Sequence, residues 1–292
     1  MTLAENNTLR DFIRAALRED LGDGDHTSLA TIPEGKTGEA HLIIKEKGVL
    51  AGLEEALTVL EEVDPGLTVG VFTQDGQRVT VGEVVLQVSG SIHSILAAER
   101  LLLNIMQRMS GIATATRRIV DLLQGTKTRV LDTRKTTPLL RFLEKKAVTL
   151  GGGVNHRFGL YDMILIKDNH VDYAGGISAA IALACQYRQA HRPDIAIEVE
   201  VRNLDELRQV LATDGVNRVM LDNFSPEEVR DAVRLIDGRL VIEASGGITE
   251  SNVRAYAEAG VDFISIGALT HSVKSLDMSL KAMMQPGKAL AG

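Results

Sequence analysis

The chain has 292 residues, 45% hydrophobic and 24% charged, with a formal net charge of -7 and one cysteine, Cys185. That length suits one barrel-sized domain with a smaller one appended, and the composition excludes disorder and a general affinity for nucleic acid. The lone cysteine excludes an internal disulfide and a thiolate metal cluster, and no apolar run reaches the roughly 18 residues a membrane span needs, so a cytoplasmic protein without membrane partners is expected.

Leu9, Phe12, Ile13, Ala16 and Leu17 recur at helical spacing and Gly22 ends the run, which predicts an amphipathic opening helix over 9–21. Short strands follow at 40–45, 67–72 and 84–88, separated by turn signals such as Asp75-Gly76 and Ser89-Gly90, with a helix at 53–63 among them. This mixture predicts an α+β domain over 1–108. A strongly apolar helix at 94–107 is expected to break at Gly111, and a second helix then runs to about 123. From there the rhythm changes. Apolar, β-branched segments at 128–131, 163–166, 195–201, 218–221, 240–243 and 263–266 alternate with helical patterns at 139–150, 178–190, 204–212, 226–236 and 251–259. Such alternation implies a parallel sheet with right-handed crossovers.

Each apolar strand ends in polar or glycine residues that would be out of place in a core: Asp132 to Lys135, Lys167, Glu200, Asp222, Ser245 and Gly267. In a parallel barrel all such ends open on one face, whereas an open doubly wound sheet spreads them along an edge. No strand leads into a dinucleotide or P-loop glycine pattern, since Gly151-Gly152-Gly153 lacks the last glycine. The expected fold class is therefore α/β: a C-terminal parallel α/β barrel over 109–271, with fewer than eight strands allowed, and a smaller N-terminal α+β domain on which the tail, 272–292, packs.

The charge is unevenly placed. Between Arg129 and Asp168 eight Lys or Arg stand against four Asp or Glu, in a chain that is otherwise acidic. Arginine binds carboxylates and phosphates through a planar fork, and lysine supplies a compact mobile charge. If Arg134, Arg157 and Lys167 converge, each pair near 4 Å repels by about 4 kcal/mol at an effective dielectric of 20, so the guest must be a multiply charged anion. The alternative is that these side chains face solvent and pair with Asp132, Asp162 or Asp168. Two late strand ends, Ser245-Gly246-Gly247 and Gly267-Ala268, lead toward helices and offer unobstructed backbone N–H groups for a phosphate, or merely make tight turns. Glu200 and Asp222 face this cationic site; they can hold sugar hydroxyls, meet a magnesium ion carried by pyrophosphate, stabilise a developing cation, or simply pair with Lys167. His26, His41, His93 and His191 sit in no motif.

The strings AERLLLNIMQRMSGIAT from Ala98, LDTRKTTP from Leu131, GGGVNHR from Gly151, LIKDNH from Leu165, EVEV from Glu198, LDNF from Leu221, EASGGIT from Glu243 and SIGALTH from Ser265 closely resemble the quinolinate phosphoribosyltransferases, the decarboxylating nicotinate-nucleotide pyrophosphorylases. The resemblance spans nearly the whole chain. It implies transfer of ribose 5-phosphate from phosphoribosyl pyrophosphate to the quinolinate nitrogen with loss of the 2-carboxylate, giving nicotinate mononucleotide for NAD biosynthesis. It implies that Arg134, His156 and Arg157, with Lys167, hold quinolinate, and that Arg100 reaches the site from the partner subunit of a homodimer or higher oligomer. Lys135, Ser245, Gly246, Gly267 and His271 would contact phosphates, and Lys135, Lys167, Glu200 and Asp222 would form the catalytic set. Magnesium would come with phosphoribosyl pyrophosphate, near Glu200 and Asp222 but without a direct protein ligand. Two other readings stay open: a barrel aldolase using Lys167 as a Schiff-base nucleophile, which requires a desolvated neutral lysine, and a relative from molybdenum-transport operons that shares the fold without a settled substrate.

Overall fold

A computed structural model describes residues 3–283. The elements in chain order are α1 (Leu3–Leu21), α2 (His26–Thr31), β1 (Thr37–Ile44), β2 (Gly48–Val49), α3 (Leu53–Val63), β3 (Thr68–Val71), β4 (Arg78–Val79), β5 (Val84–Ser91), α4 (Ile92–Leu122), β6 (Arg129–Leu131), α5 (Arg141–Leu150), β7 (Ile164–Ile166), α6 (Asp168–Ala174), α7 (Ile177–His191), β8 (Ile197–Val201), α8 (Leu204–Leu211), β9 (Arg218–Asp222), α9 (Pro226–Ile236), β10 (Val241–Ser245), α10 (Val253–Glu258), β11 (Phe263–Ser265), α11 (Ala268–His271) and β12 (Met278–Ala282). They form two compact units, one of residues up to Thr114 together with those from Val273 on, the other of Ala115–Ser272.

The first unit is built on a four-stranded antiparallel sheet in the order β12-β1-β5-β3. Leu42 and Ile44 of β1 are fully buried, and α1 lies against α3 with Arg10 and Arg14 paired to Glu62. Its fourth strand comes from the far end of the chain: Ala40 to Ile44 of β1 pair with Ala282 to Met278 of β12. The rest of the tail expected to pack here, 284–292, lies outside the described residues.

Helix α4 is continuous from Ile92 to Leu122, so the break expected at Gly111 does not occur, and the units divide after Thr114 rather than at 108. Glycine is there for a different reason. A Cβ on Gly111 would lie 2.3 Å from the backbone oxygen of Lys274 and 3.1 Å from the Ser275 Cα. The returning chain is held there by Leu276 N–H, which donates to the Gln107 carbonyl at 2.9 Å.

In the second unit six parallel strands run in the order β6-β11-β10-β9-β8-β7, so the first strand in sequence neighbours the last. On the free side of β6, Val154 makes one parallel bridge to Leu131, where a further strand would stand. Flat, six strands at 4.8 Å spacing would span about 24 Å. Instead one cavity is lined from the C-terminal ends of all six, which requires the sheet to curl into an open barrel. Side chains alternate across each strand: Ile197, Val199, Val219, Leu221, Ile242 and Ala244 are buried on one face, while Glu198, Glu200, Met220, Asp222, Glu243 and Ser245 share the other. Helices cover the apolar face. Among them α9 is started by Ser225 and Glu228 in a reciprocal cap with Pro226 at its first position.

The Val154 segment is fastened to β6 by an ion pair with no exposure to solvent. Lys145 of α5 donates to Asp132 and, at 3.0 Å, to the His156 carbonyl; Asp132 also accepts the His156 N–H at 2.9 Å and the Asn155 amide at 2.6 Å. Sequence reasoning put Asp132 at the mouth of the barrel; it points inward and does not line the cavity. Burial dominates both groups, raising the Asp132 carboxyl and lowering the Lys145 ammonium against their mutual attraction.

Two outcomes follow from this packing. In an ordinary helix Gly→Ala adds up to about 1 kcal/mol of stability; Gly111→Ala is expected to lose about 1–3 kcal/mol in urea unfolding because the methyl meets backbone. Lys145→Met leaves Asp132 as a buried uncompensated charge and is expected to cost about 3–5 kcal/mol; a loss under about 1 kcal/mol would show that the pair contributes little.

Candidate active site

The cavity at the strand ends has a volume of about 800 Å³ and is lined by eleven of the twelve residues singled out from sequence: Arg134, Lys135, His156, Arg157, Lys167, Glu200, Asp222, Ser245, Gly246, Gly267 and His271. The twelfth, Arg100, is an exposed residue of α4 in the other unit and is not among the lining residues.

The cations come from three segments held in place by hydrogen bonds. The loop after β6 carries Arg134 and Lys135; Thr133 Oγ accepts the Lys135 N–H at 3.1 Å, and the buried Thr270 hydroxyl donates to the Lys135 carbonyl at 2.8 Å. Arg141 of α5 ties the same loop to the next, donating to Thr136 Oγ at 2.9 Å and the Phe158 carbonyl at 3.0 Å. Arg157 is 9% exposed, and its Nη1 donates to the Met163 carbonyl at 3.1 Å. Burial and the nearby Arg134 charge push its pKa down, so the two guanidiniums do repel one another. Arg134 keeps a buried Nε with no hydrogen-bond partner, a donor available to an anion. The alternative in which the arginines turn to solvent is not what the fold does.

Lys167 caps α6 and is fixed by the His170 ring, whose Nδ1 accepts its backbone N–H at 3.0 Å. Its ammonium lies 2.8 Å from Glu200, as the ion-pair reading of that glutamate expected. With the side chain 44% exposed and paired to a carboxylate, Lys167 lacks the desolvated surroundings that a Schiff-base nucleophile requires. Asp222 stands one strand away from Glu200. Asn223 beside it takes a left-handed backbone (φ 59°), donates its side-chain amide to Asp222 Oδ2 at 2.6 Å and its backbone N–H to the Ser245 carbonyl at 2.8 Å.

The two glycine turns are shaped by close approach. Gly246 has φ +90°, and a Cβ there would lie 2.3 Å from Asn223 Oδ1, so only glycine fits. Gly267 lies against Lys135 and His271 and starts α11 directly. The Ser245 turn does not start a helix: Ser245, Gly246 and Gly247 line the cavity, but α10 begins only at Val253. Of the histidines outside any motif, His41 pairs with Glu39 at 2.9 Å and His93 hydrogen-bonds the Ile32 carbonyl at 3.0 Å, both structural contacts.

Sequence reasoning missed the floor. Glu198 of β8 and Glu243 of β10 are fully buried on the inner face, with Arg218 of β9 between them: its Nη1 is 3.0 Å from Glu243 and its Nε 4.0 Å from Glu198. His156 lies above, its Nε2 3.0 Å from Glu198 and 3.4 Å from Glu243. The strict alternation Ile197-Glu198-Val199-Glu200-Val201 was the available signal, because in a barrel strand with one face on helices the acids can only point inward. Burial works against a charged imidazole, but the two acids beside Nε2 outweigh it and push His156 up to about 9. Glu198, dominated by burial, is raised, whereas the His156 and Arg218 contacts hold Glu243 below the usual carboxylate range despite its burial.

One more proton is thus held in the native barrel floor than in the unfolded chain between pH 6.5, the ordinary imidazole value, and about 9. A raised pKa contributes stability that is complete below the unfolded value and lost as pH climbs through the folded one, so unfolding free energy is expected to fall by on the order of 3 kcal/mol from about pH 6.5 to about 9. Urea titrations across that range check it; a flat or rising profile contradicts it.

The models of the quinolinate phosphoribosyl transferase N-terminal and C-terminal domains match residues 25–110 and 112–281. The nicotinate-nucleotide pyrophosphorylase [carboxylating] of Mycobacterium leprae is 44% identical over 282 residues, covering 94% of this chain and 98% of that protein. The chloroplastic protein of that name from Arabidopsis thaliana is 46% identical over 288 residues, covering 94% of this chain and 82% of its own length. Among solved structures, the nicotinate-nucleotide pyrophosphorylase from Francisella tularensis superposes with a TM-score of 0.90 at 40% identity, covering 95% of this chain and 97% of that one. By both of its domains and along nearly all of its length, the chain belongs to the quinolinate phosphoribosyltransferase family.

Proposed function

We propose that this protein is a pentosyltransferase that joins quinolinate to the ribose 5-phosphate of phosphoribosyl pyrophosphate, releasing pyrophosphate and carbon dioxide and forming nicotinate mononucleotide in de novo NAD biosynthesis. The observation that carries the reading is the convergence of Arg134, Lys135, Arg157 and Lys167 on one cavity that also holds two acids and two glycine turns. A dicarboxylate suits the fork end, where Arg134 and Arg157 would otherwise repel, and a 5'-phosphate suits the backbone donors of Ser245 to Gly247 and Gly267.

Between these ends the pyridine nitrogen attacks C1 of the ribose as the bond to pyrophosphate breaks, and C1 becomes cationic. Glu200 and Asp222, at neighbouring strand ends, stabilise that charge, and Asn223 keeps Asp222 oriented toward it. Lys167, already beside Glu200, moves onto an incoming carboxylate or phosphate, and Lys135 and His271 take the phosphate side. In the second stage the C2–carboxylate bond breaks and carbon dioxide leaves, the electron pair staying on C2 as an ylide stabilised by the adjacent quaternised nitrogen, and a proton is then taken up by that pair. Magnesium would enter with the pyrophosphate, whose charge it neutralises. Glu200 and Asp222 fit that role through waters, because each has one oxygen already engaged and magnesium keeps most of its own shell.

The reading includes a homodimer in which Arg100 completes the quinolinate end from the partner subunit, supported by its exposed position on α4. It also includes a cytoplasmic location, in keeping with the unpaired Cys185; no helix among the described residues is long and apolar enough to cross a membrane.

Mixing the protein with quinolinate, phosphoribosyl pyrophosphate and magnesium should consume the pyridine and release carbon dioxide, and omission of any one component should stop both. Calorimetric titration of Arg134→Ala with quinolinate should show an affinity loss of about 2–3 kcal/mol, since a carboxylate would stay desolvated without its fork. Unchanged affinity rejects the assignment of this end of the cavity.

A further inference from the structure

Both ring nitrogens of His156 are engaged inside the protein. Nδ1 accepts the Arg157 backbone N–H at 2.7 Å, and Nε2 is directed between Glu198 and Glu243, at 3.0 and 3.4 Å, aligned with neither alone. Its backbone is engaged too, by Asp132 at 2.9 Å and Lys145 at 3.0 Å. A ring that accepts at Nδ1 must carry its proton on Nε2, and that proton is shared with the acid pair.

The three groups could be mistaken for a metal site, since one ligand atom from each lies within 4.8 Å of the others. Two features oppose it. The Nε2 lone pair is spent on a proton, and Arg218, 3.0 Å from Glu243, already supplies a cation. Arg218 is held in turn with its guanidinium 4.7 Å from the centre of the Phe263 ring. Counted as a unit, two carboxylates, one guanidinium and one additional proton make a neutral plug. Because Nδ1 accepts from Arg157, the ring is neutral and the additional proton lies on Glu198, whose carboxyl burial raises; the titration belongs to the cluster as a whole.

A neutral plug does nothing to attract an anion, but it does hold a ring. We propose that Glu198, Glu243 and Arg218 are positioning residues for the pyridine dicarboxylate: they clamp the His156 ring, which orients Arg157 through its backbone N–H and does not itself bind the substrate through a ring nitrogen. This departs from the direct role that family resemblance implied for His156, and it rests on the reading of Arg157 as a ligand of the dicarboxylate. Arg157 is then fixed at two points, its backbone by the ring and its Nη1 by the Met163 carbonyl, which leaves the rest of the guanidinium for the cavity. Without the clamp the ring rotates, the Arg157 N–H loses its acceptor, and the fork shifts.

The test compares Glu198→Ala with Glu198→Gln, whose amide oxygen still accepts the Nε2 proton, and His156→Leu with His156→Asn, whose amide can both accept and donate. Glu198→Ala and His156→Leu should raise KM for quinolinate by about tenfold or more while KM for phosphoribosyl pyrophosphate changes by less than about twofold, and the Gln and Asn variants should recover most of the loss. Nitrogen-15 spectra of histidine-labelled protein, recorded without substrate, should show one ring with Nε2 protonated and Nδ1 bare in the wild type and in Glu198→Gln, and not in Glu198→Ala. If an alanine variant does not fold, the wild-type and glutamine spectra still decide. Equal damage from Ala and Gln, or an Nδ1-protonated wild-type ring, overturns the inference. Failure of the wild-type protein to bind quinolinate falls instead on the functional reading, and the two failures are seen in different measurements.

Discussion

Everything at this site depends on ions being held where water cannot screen them. A barrel interior is ordinarily filled with branched hydrocarbon side chains. Here the inner face carries Arg218, Glu198 and Glu243 below and Lys167, Glu200 and Asp222 above. Unpaired, any one of the lower groups would cost several kcal/mol of desolvation. Paired, they form a floor whose charges cancel, and the uncancelled positive charge is left at the mouth. The sheet's curl makes that arrangement possible, because only when alternate strands face one another across a narrow interior can a glutamate on β8 and another on β10 share one imidazole.

The fold and the site meet at Asp132. Its carboxylate gathers Lys145 from α5 and the backbone and side chain of Asn155 and His156, so the one-residue strand at Val154 is set against β6 by the same contacts that aim His156 and Arg157 inward. The next two residues after Asp132 bring Thr133 and Arg134 into the cavity. One buried carboxylate therefore sets the separation of the two arginines. A buried ion pair is weak evidence for stability in general, and its value here is geometric: hydrocarbon could fill the same space but could not fix the register between two loops.

Much of this was legible in the sequence. The strands of the second unit alternate with amphipathic helices, and their polar ends fall where the cavity is. The misreadings share a cause, which is that a local pattern cannot report a partner distant in the chain. Gly111 looks like a helix breaker, yet it makes room for the backbone at Lys274. Met278 to Ala282 alternate apolar and polar residues over only five positions, and their partner in β1 lies more than two hundred residues earlier. Asp132 reads as a strand-end acid bound for the pocket because Lys145, which turns it inward, sits on the following helix. Glu198 and Glu243 were passed over because an acid inside a barrel contradicts the usual sorting of residues, although the alternation around Glu198 required it.

The position of the acids also bears on which polyanion the cavity accepts. Cations alone would take up any phosphorylated compound of the right size. With Glu200 paired to Lys167 and Asp222 held by Asn223 in the middle, an anionic group placed centrally meets carboxylates at close range, while the arginine end and the glycine end stay open to negative charge. A guest is favoured when its charges are at its two ends and its centre is neutral in the ground state and positive in the transition state. A pyridine dicarboxylate joined to a phosphorylated sugar has that distribution along the cavity. In the proposed reaction the same acids would weaken the ground-state binding of phosphate near C1 and strengthen the interaction as pyrophosphate departs, which is the difference between ground state and transition state on which a rate acceleration depends.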